Sequence, residues 1–438
     1  MAQPKIIVLD DDPTGSQTVH SCLLLMEWDV ETLRLGLRDE VPIFFVLTNT
    51  RALTPEEATH ITQAVCQNLK QALQAEQISE YLVVSRSDST LRGHYPIETD
   101  AIAAELGPFD AHFLTPAFFE GGRVTLQNIH YLLVEGSLTP VHQTEFARDS
   151  VFGYSTSYLP DYVAEKTAGK IPAVQVERFV LEDLRQGCRD RLLGLSGNVC
   201  CAVDGEVQAD FDQFAVDLLA AAAEGKKFLF RSAASLLTSL AQLGPQPVAP
   251  EAMAQYTRNP GPGVVLVGSH VQKTTRQLQA LLQEPDIAPL EVAVARLRDD
   301  LGQANALRDE ILAQVQTAFA QGQTPVIYTS REELQFADIE QRLAFGKAVS
   351  ALLMAIVQGL PESLSFLISK GGITSNDVLS TGLALRSARL LGQVLPGCSL
   401  VTTAPDHPQF PNLPVVLFPG NVGDDQGLAT VYRRLAGR

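Results

Sequence analysis

Lys5-Ile6-Ile7-Val8-Leu9-Asp10-Asp11-Asp12-Pro13-Thr14-Gly15 is an apolar run that ends on three aspartates, a proline and a glycine. A strand that alternates apolar and polar residues is half exposed, whereas one that does not is buried on both faces and belongs to a parallel sheet. Ile6 to Leu9 do not alternate, which predicts a central parallel strand. Its carboxyl end, where open α/β sheets bind ligands, carries the charge.

The arrangement repeats. Tyr81-Leu82-Val83-Val84 leads into Ser85-Arg86-Ser87-Asp88-Ser89-Thr90-Leu91-Arg92-Gly93, Ile43 to Leu47 into Thr48-Asn49-Thr50-Arg51, and His112-Phe113-Leu114 into Thr115-Pro116. Val199 to Val203 ends at Asp204, and Lys227 to Phe230 ends at Arg231-Ser232. One such turn is ordinary loop polarity. Together, Asp10 to Asp12, Asp88, Arg51, Arg86 and Arg92 describe a pocket with cations for a carboxylate and an aspartate for a hydroxyl, the chemistry that binds a small hydroxy acid. Asn49, Ser87 and Ser89 are suited to further hydroxyl contacts.

Helical patterns separate these strands. Pro55 to Gln74 reads as one long helix with Thr54 at its N-cap and Glu57 completing a capping box. Ile97 to Leu106, Leu181 to Leu193 and Phe211 to Ala223 read the same way. Strand and helix alternate, so the fold class is α/β.

At 438 residues with 45% apolar content, the chain can bury two or three full cores. Its net charge of −17 argues against nucleic-acid and anionic-membrane partners, though not against a nucleotide held by a few amides and one cation. No apolar stretch approaches the roughly 20 residues that cross a bilayer, and the first run is interrupted too early for a signal peptide, so a cytoplasmic location is expected. The six cysteines have no C-x-x-C spacing and sit mostly in apolar runs, which predicts buried thiols. His94, His130 and His270 read as hydrogen-bonded structural residues.

Pro/Gly density at Leu243 to Pro250 and Asn259 to Gly263 marks a domain crossover, with domains at 1–244 and 245–438. The second half restarts with Val264-Val265-Leu266-Val267-Gly268-Ser269-His270 and a helix from near Val271, for which Ser269 would be the N-cap. Phe366 to Ser369 leads into Lys370-Gly371-Gly372-Ile373-Thr374-Ser375-Asn376-Asp377, and Val415 to Phe418 into Pro419-Gly420-Asn421-Val422-Gly423-Asp424-Asp425. Three Gly/Ser/Thr-rich turns at strand ends suggest a phosphate cradle of backbone N–H groups. There is no G-x-x-x-x-G-K-[ST] and no G-x-G-x-x-G, so neither a P-loop nor a standard dinucleotide fold is indicated. Asp377, Asp424 and Asp425 are oxygen donors of the kind that hold Mg²⁺, or else solvated surface carboxylates.

These motifs resemble the four-carbon acid sugar kinases. Asp11-Asp12-Pro13-Thr14-Gly15 looks like that family's Asp-Asp-x-Thr-Gly turn, and Arg86 to Gly93 like its Asp-Ser-Thr-Leu-Arg-Gly segment. Arg51 resembles its arginine after the second strand. Gly268-Ser269, Gly371 to Ser375 and Gly420 to Gly423 resemble its three later turns, in the same order. The resemblance implies two α/β domains with mainly parallel sheets, an acid sugar and ATP bound in the cleft between them, and transfer to the terminal hydroxyl of a tetronate or 3-oxo-tetronate. Carried over by position, Asp11, Arg51 and Arg86 through Ser89 would contact the substrate, joined by Arg92. Ser269, Gly371 through Ser375, Gly420 and Gly423 would contact ATP. Three departures stand out: Arg86 replaces a lysine, Ile373 replaces an acidic residue, and Phe418-Pro419 stands where Lys-Ser is common.

Phosphoryl transfer needs positioning, charge neutralisation and a carboxylate to accept the hydroxyl proton. Asp12 or Asp11 is the expected base, with Asp88 third. Arg51, Arg86 and Arg92 would share the substrate carboxylate and the phosphoryl group, unless one of them simply pairs with Asp88. The competing readings are a non-catalytic sensor of acid sugar and nucleotide, suggested by Ile373, and an NAD-dependent hydroxyacid dehydrogenase, which the missing dinucleotide fingerprint disfavours. Phe345 to Val357 reads as core or as a subunit interface, which leaves a homodimer open.

Overall fold

A computed structural model of the chain describes residues 3–331, 339–420 and 422–438. It divides into two compact units, Met1–Pro245 and Gln246–Arg438.

In the first unit β1 (Lys5–Asp10), β2 (Leu23–Leu25), α1 (Val30–Arg38), β3 (Ile43–Leu47), α2 (Pro55–Ala75), β4 (Tyr81–Arg86), α3 (Ile97–Leu106) and β5 (Ala111–Thr115) alternate as the hydrophobic pattern requires. A small antiparallel sheet follows, made of β6 (Arg123–Leu126), β7 (Ile129–Val134) and β8 (Ser137–Pro140). The unit closes with α4 (Leu159–Lys166), β9 (Glu177–Phe179), α5 (Leu181–Gln186), α6 (Arg189–Leu193), β10 (Val199–Val203), α7 (Gln208–Ala223), β11 (Phe228–Ser232) and α8 (Ala234–Ala241). The main sheet has the order β2-β3-β1-β4-β11-β5-β10-β9, and every pair in it is parallel.

β1 lies between β3 and β4, which places its charged end in the crevice where chain connections diverge. α2 begins with the expected capping box between Thr54 and Glu57. Its Val65, Cys66, Leu69 and Leu73 pack on Ile7, Phe44, Val46 and Val83 of the sheet. Burying each such side chain favours folding by roughly 1.5–3 kcal/mol. The single helix expected over Leu181 to Leu193 is instead two, α5 and α6. Gly187 adopts φ +90°, outside the helical region, and the Cys188 N–H turns to the Asp217 carboxylate at 2.7 Å. All six cysteines are buried, as their apolar surroundings predict.

The second unit contains β12 (Val264–Val267), α9 (Gln272–Leu281), β13 (Ile287–Val292), α10 (Ala295–Asp299), α11 (Ala304–Ala320), β14 (Thr324–Thr329) and α12 (Ile339–Gln358). β15 (Leu367–Lys370), α13 (Gly372–Asp377), β16 (Ser387–Leu395), β17 (Cys398–Thr403), β18 (Pro414–Phe418) and α14 (Gly427–Leu435) complete it. Within this unit the strands run β13-β14-β12-β15-β18-β17-β16, parallel through β18 and antiparallel beyond. Since β15 lies between β12 and β18, the three glycine turns leave from three adjacent strands. No helix among the described residues is long and apolar enough to cross a membrane.

Candidate active site

At the carboxyl end of β1, Asp11 accepts from Arg51 on both oxygens, Nη2 to Oδ1 at 2.5 Å and Nε to Oδ2 at 3.1 Å. Ser87 Oγ donates to Asp11 Oδ2 at 3.1 Å. Arg51 Nη1 reaches Asp12 Oδ2 at 3.1 Å, so one guanidinium fork spans both aspartates. Asp12 Oδ1 takes the Thr14 N–H at 2.8 Å and also the Thr14 hydroxyl, which closes the turn. Burial works to raise the Asp12 carboxyl, but Arg51, Thr14 and Arg86 outweigh it and hold it below its ordinary value. Asp12 is the accessible member of the pair, with 24% of its side chain exposed against 1% for Asp11.

Arg86, at the end of β4, is buried, with Nη1 3.8 Å from both Asp10 Oδ1 and Asp11 Oδ1 and Nε without a hydrogen-bond partner. It is a desolvated cation with its Nε–H unspent. Arg92 behaves differently. Its Nε donates to Asp88 Oδ2 at 2.7 Å and its guanidinium lies 5.0 Å from the Phe146 ring centroid, which is the structural pairing held open from the sequence. Burial raises the Asp88 carboxyl, yet Arg51 and Arg92 overcome it and keep Asp88 well below the usual carboxylate range. Ser87, Asp88 and Arg92 line a cavity of about 20 Å³, room for one water.

Several further side chains support this cluster, and of these Glu98, Tyr154 and Tyr162 carried no signal in the sequence. Asp10 is wholly buried with Oδ2 unpartnered, and burial pushes its carboxyl up to about 8. Arg231, at the end of β11, donates to Glu98 and, at 2.7 Å, to Ser85 Oγ. Thr50 Oγ1 donates to the other Glu98 oxygen at 2.5 Å. The turn after Asp88 hangs from three side chains of the following segments. His130 Nε2 bonds the Ser89 carbonyl at 2.7 Å, Tyr154 OH the Thr90 carbonyl at 2.7 Å and Tyr162 OH the Leu91 carbonyl at 2.8 Å. Burial drives the His130 imidazole down to about 4, which fits the structural role read for it.

In the second unit the three turns meet. A Cβ at Gly268 would lie 2.2 Å from Thr374 Oγ1, one at Gly371 3.1 Å from Ser269 Cβ, and one at Gly420 3.3 Å from Ser269 Oγ. Gly371 has φ +123°, which lets the chain turn from β15 straight into α13. Ser269 is not the N-cap of α9. Val271 holds that position because the helix starts at Gln272, three residues beyond Ser269, whose Oγ instead accepts from Thr274 Oγ1 at 3.2 Å. Ser375 is buried with its hydroxyl on Ser369 O and Oγ, both at 3.2 Å. Gln277 ties down the turn at Gly423 through the carbonyls of Val422 at 3.0 Å and Asp424 at 2.7 Å. Asn421 lies outside the described residues. Lys370, completely buried, donates to the Pro419 carbonyl at 2.6 Å and so joins two of the turns.

The carboxylates read as metal donors are apart in character. Asp425 pairs with Arg276 at 2.9 Å, Asp424 is exposed and accepts the Gln426 N–H at 3.0 Å, and Asp377 accepts from Ser350. Among the described residues no three His, Cys, Asp or Glu side chains converge as a metal cage. Mg²⁺ needs only one or two carboxylates when phosphates supply its other ligands, so an exposed Asp424 beside the turns fits an ion that arrives with a nucleotide.

Known proteins agree with this division of labour. Residues 6–240 match a family described as a sugar-binding N-terminal domain, and residues 264–428 one described as a nucleotide-binding C-terminal domain. A D-erythronate kinase of Heliobacterium modesticaldum is 28% identical over 225 residues, 48% of this chain and 47% of the relative. A D-threonate kinase of Bordetella bronchiseptica is 26% identical over 192 residues, 41% and 45%. The matches thus span about half the length of these curated relatives. Two crystal structures share the fold across nearly the whole chain. One, from Salmonella typhimurium LT2 and provisionally described as a tRNA synthase, has a TM-score of 0.70 at 21% identity, covering 99% of this chain and 98% of that one. The other, a Haemophilus influenzae protein, has a TM-score of 0.67 at 17% identity, covering 98% and 100%.

Proposed function

The chain belongs to the family that joins a sugar-binding N-terminal domain to a nucleotide-binding C-terminal domain, and we propose that it is an ATP-dependent kinase for a four-carbon acid sugar. Its substrate would be threonate, erythronate or 3-oxo-tetronate, phosphorylated on the terminal hydroxyl. The observation that carries this reading is the cluster at the ends of β1, β3 and β4, where Arg51 orients two aspartates beside the buried Arg86, whose Nε–H has no partner.

In this reading Arg86 and Ser87 take the substrate carboxylate and a neighbouring hydroxyl. Asp12, the more accessible aspartate, accepts the proton of the attacking hydroxyl. Held ionised by Arg51, it is a weak base, which suffices where the transition state is loose and the proton leaves late. Backbone N–H groups of the Gly268, Gly371 and Gly420 turns cradle the phosphates. Mg²⁺, when bound with ATP, supplies charge neutralisation on the phosphate oxygens.

The test is ADP release and product formation with ATP, Mg²⁺ and a panel of D- and L-threonate, erythronate and 3-oxo-tetronate. Turnover of one member is expected and names the substrate. Saturable ATP binding with no turnover of any member would instead favour a sensor of the same ligands.

A further inference from the structure

The second unit holds a cavity of about 470 Å³, within the range of small-molecule sites. One wall is made by Gly268, Ser269 and the Gly371 to Thr374 turn. The opposite wall is α12, which presents two adjacent rows at four-residue spacing, Phe345, Val349 and Leu353 in one and Arg342, Gly346, Ser350 and Met354 in the other. A phosphate cradle needs no such apolar wall; a flat heteroaromatic base does. Ile373, 76% exposed, stands at the rim, where a bound base would cover it.

Among the described residues Asp377 is the acidic side chain that lines this cavity, and Asp424 and Asp425 do not line it. Ser350 donates to its Oδ2, and Asn376 Nδ2 to its Oδ1 at 3.2 Å. A carboxylate accepts about four hydrogen bonds, so among the described residues one site remains on each oxygen, as a vicinal diol requires. Resting on the nucleotide reading above, we propose that the nucleoside occupies this cavity, its base against α12 and its ribose hydroxyls on Asp377, which Ser350 orients. Asp377 is then a ribose-reading residue and not a metal ligand, and the exposed isoleucine is part of the base site.

Equilibrium binding of ADP and 2′,3′-dideoxy-ADP to the full-length protein without Mg²⁺ tests this. Removing the hydroxyls should weaken binding to wild type about tenfold or more, the worth of hydrogen bonds to a charged group. Asp377→Asn, which is isosteric, should weaken ADP similarly, leave the dideoxy compound unchanged, and leave the Mg²⁺ dependence of ATP binding as in wild type. Val349→Trp, which fills the slot, should weaken both ligands. ADP and dideoxy-ADP binding alike to wild type, or Asp377→Asn weakening both alike or altering the Mg²⁺ dependence, would overturn the placement while sparing the kinase reading. A wild type that binds no adenine nucleotide would overturn both.

Discussion

The carboxylate of Asp10 fills the space that a side chain at Gly15 would need: a Cβ there would lie 2.0 and 2.1 Å from its two oxygens. The turn closed by Asp12 and Thr14 thus folds back onto the end of β1 and seals Asp10 from solvent. Glycine is required at position 15 by this close approach.

Gly15→Ala should therefore force the turn off Asp10, with a loss of about 1–3 kcal/mol, the usual scale for overpacking. Asp10→Ala makes room. The double variant is expected to be more stable than the sum of the two single losses, since groups in contact do not add. Thermal denaturation of the four proteins reads the coupling; strict additivity would mean the two positions are independent.

Asp10 also predicts a pH dependence. Burial raises its folded value to about 8 from an ordinary 3.8, so the folded state binds more protons than the unfolded state between those limits. Its contribution to stability is full below about pH 3.8 and is lost as pH rises through about 8. Asp10→Asn mimics the protonated form and should remove this component. The melting temperature of wild type minus that of the variant should fall from pH 6 to pH 9, and a flat difference would count against a protonated Asp10.

Arg51 holds Asp11 and Asp12 at once with Nε, Nη1 and Nη2 of one planar fork, a geometry that a lysine ammonium does not reproduce. Arg51→Lys should lower kcat about tenfold to a hundredfold, the scale of lost hydrogen bonds to charged groups. Release of Asp12 should also move the acid limb of the kcat profile to higher pH, because Arg51 is the main attraction holding that carboxyl down. Arg92→Lys, which keeps a charge beside Asp88, should change kcat less. Equal losses without a moved acid limb would assign Arg51 a folding role only.

The strands, the capping box of α2 and the three glycine turns were legible because each is written within about ten consecutive residues. So was the aspartate run, but not the division of labour inside it. Asp10 differs from Asp12 through burial by the turn at Gly15 and through Arg51 and Arg86, and only the last two were in view. Arg231 and Glu98 bond across 133 residues and Lys370 and Pro419 across 49, pairings that no local pattern encodes. Phe345 to Val357 had the composition of core or interface; its face toward the glycine turns became visible only when the order of β12, β15 and β18 was known.

Lys370 provides the last prediction. Its ammonium lies 2.6 Å from the Pro419 carbonyl, 3.4 Å from that of Gly420 and 3.9 Å from the centre of the Phe418 ring, so it links the ends of β15 and β18 from inside the protein. Burial lowers its folded value to about 7 from 10.5. For a base this contribution is full above about pH 10.5 and is lost as pH falls through about 7, opposite in sign to that of Asp10. The two titrations overlap near neutrality and would mask each other in a raw profile, so each must be read as wild type minus its own variant. Lys370→Met should make that difference fall between pH 9 and pH 6. It should also raise KM for ATP several-fold with a smaller change in kcat, since the freed carbonyls let the Gly371 and Gly420 turns separate without touching the aspartates of the first unit. A variant that lowered kcat and left KM for ATP unchanged would place Lys370 in the chemistry of transfer and not in the shape of the nucleotide turns.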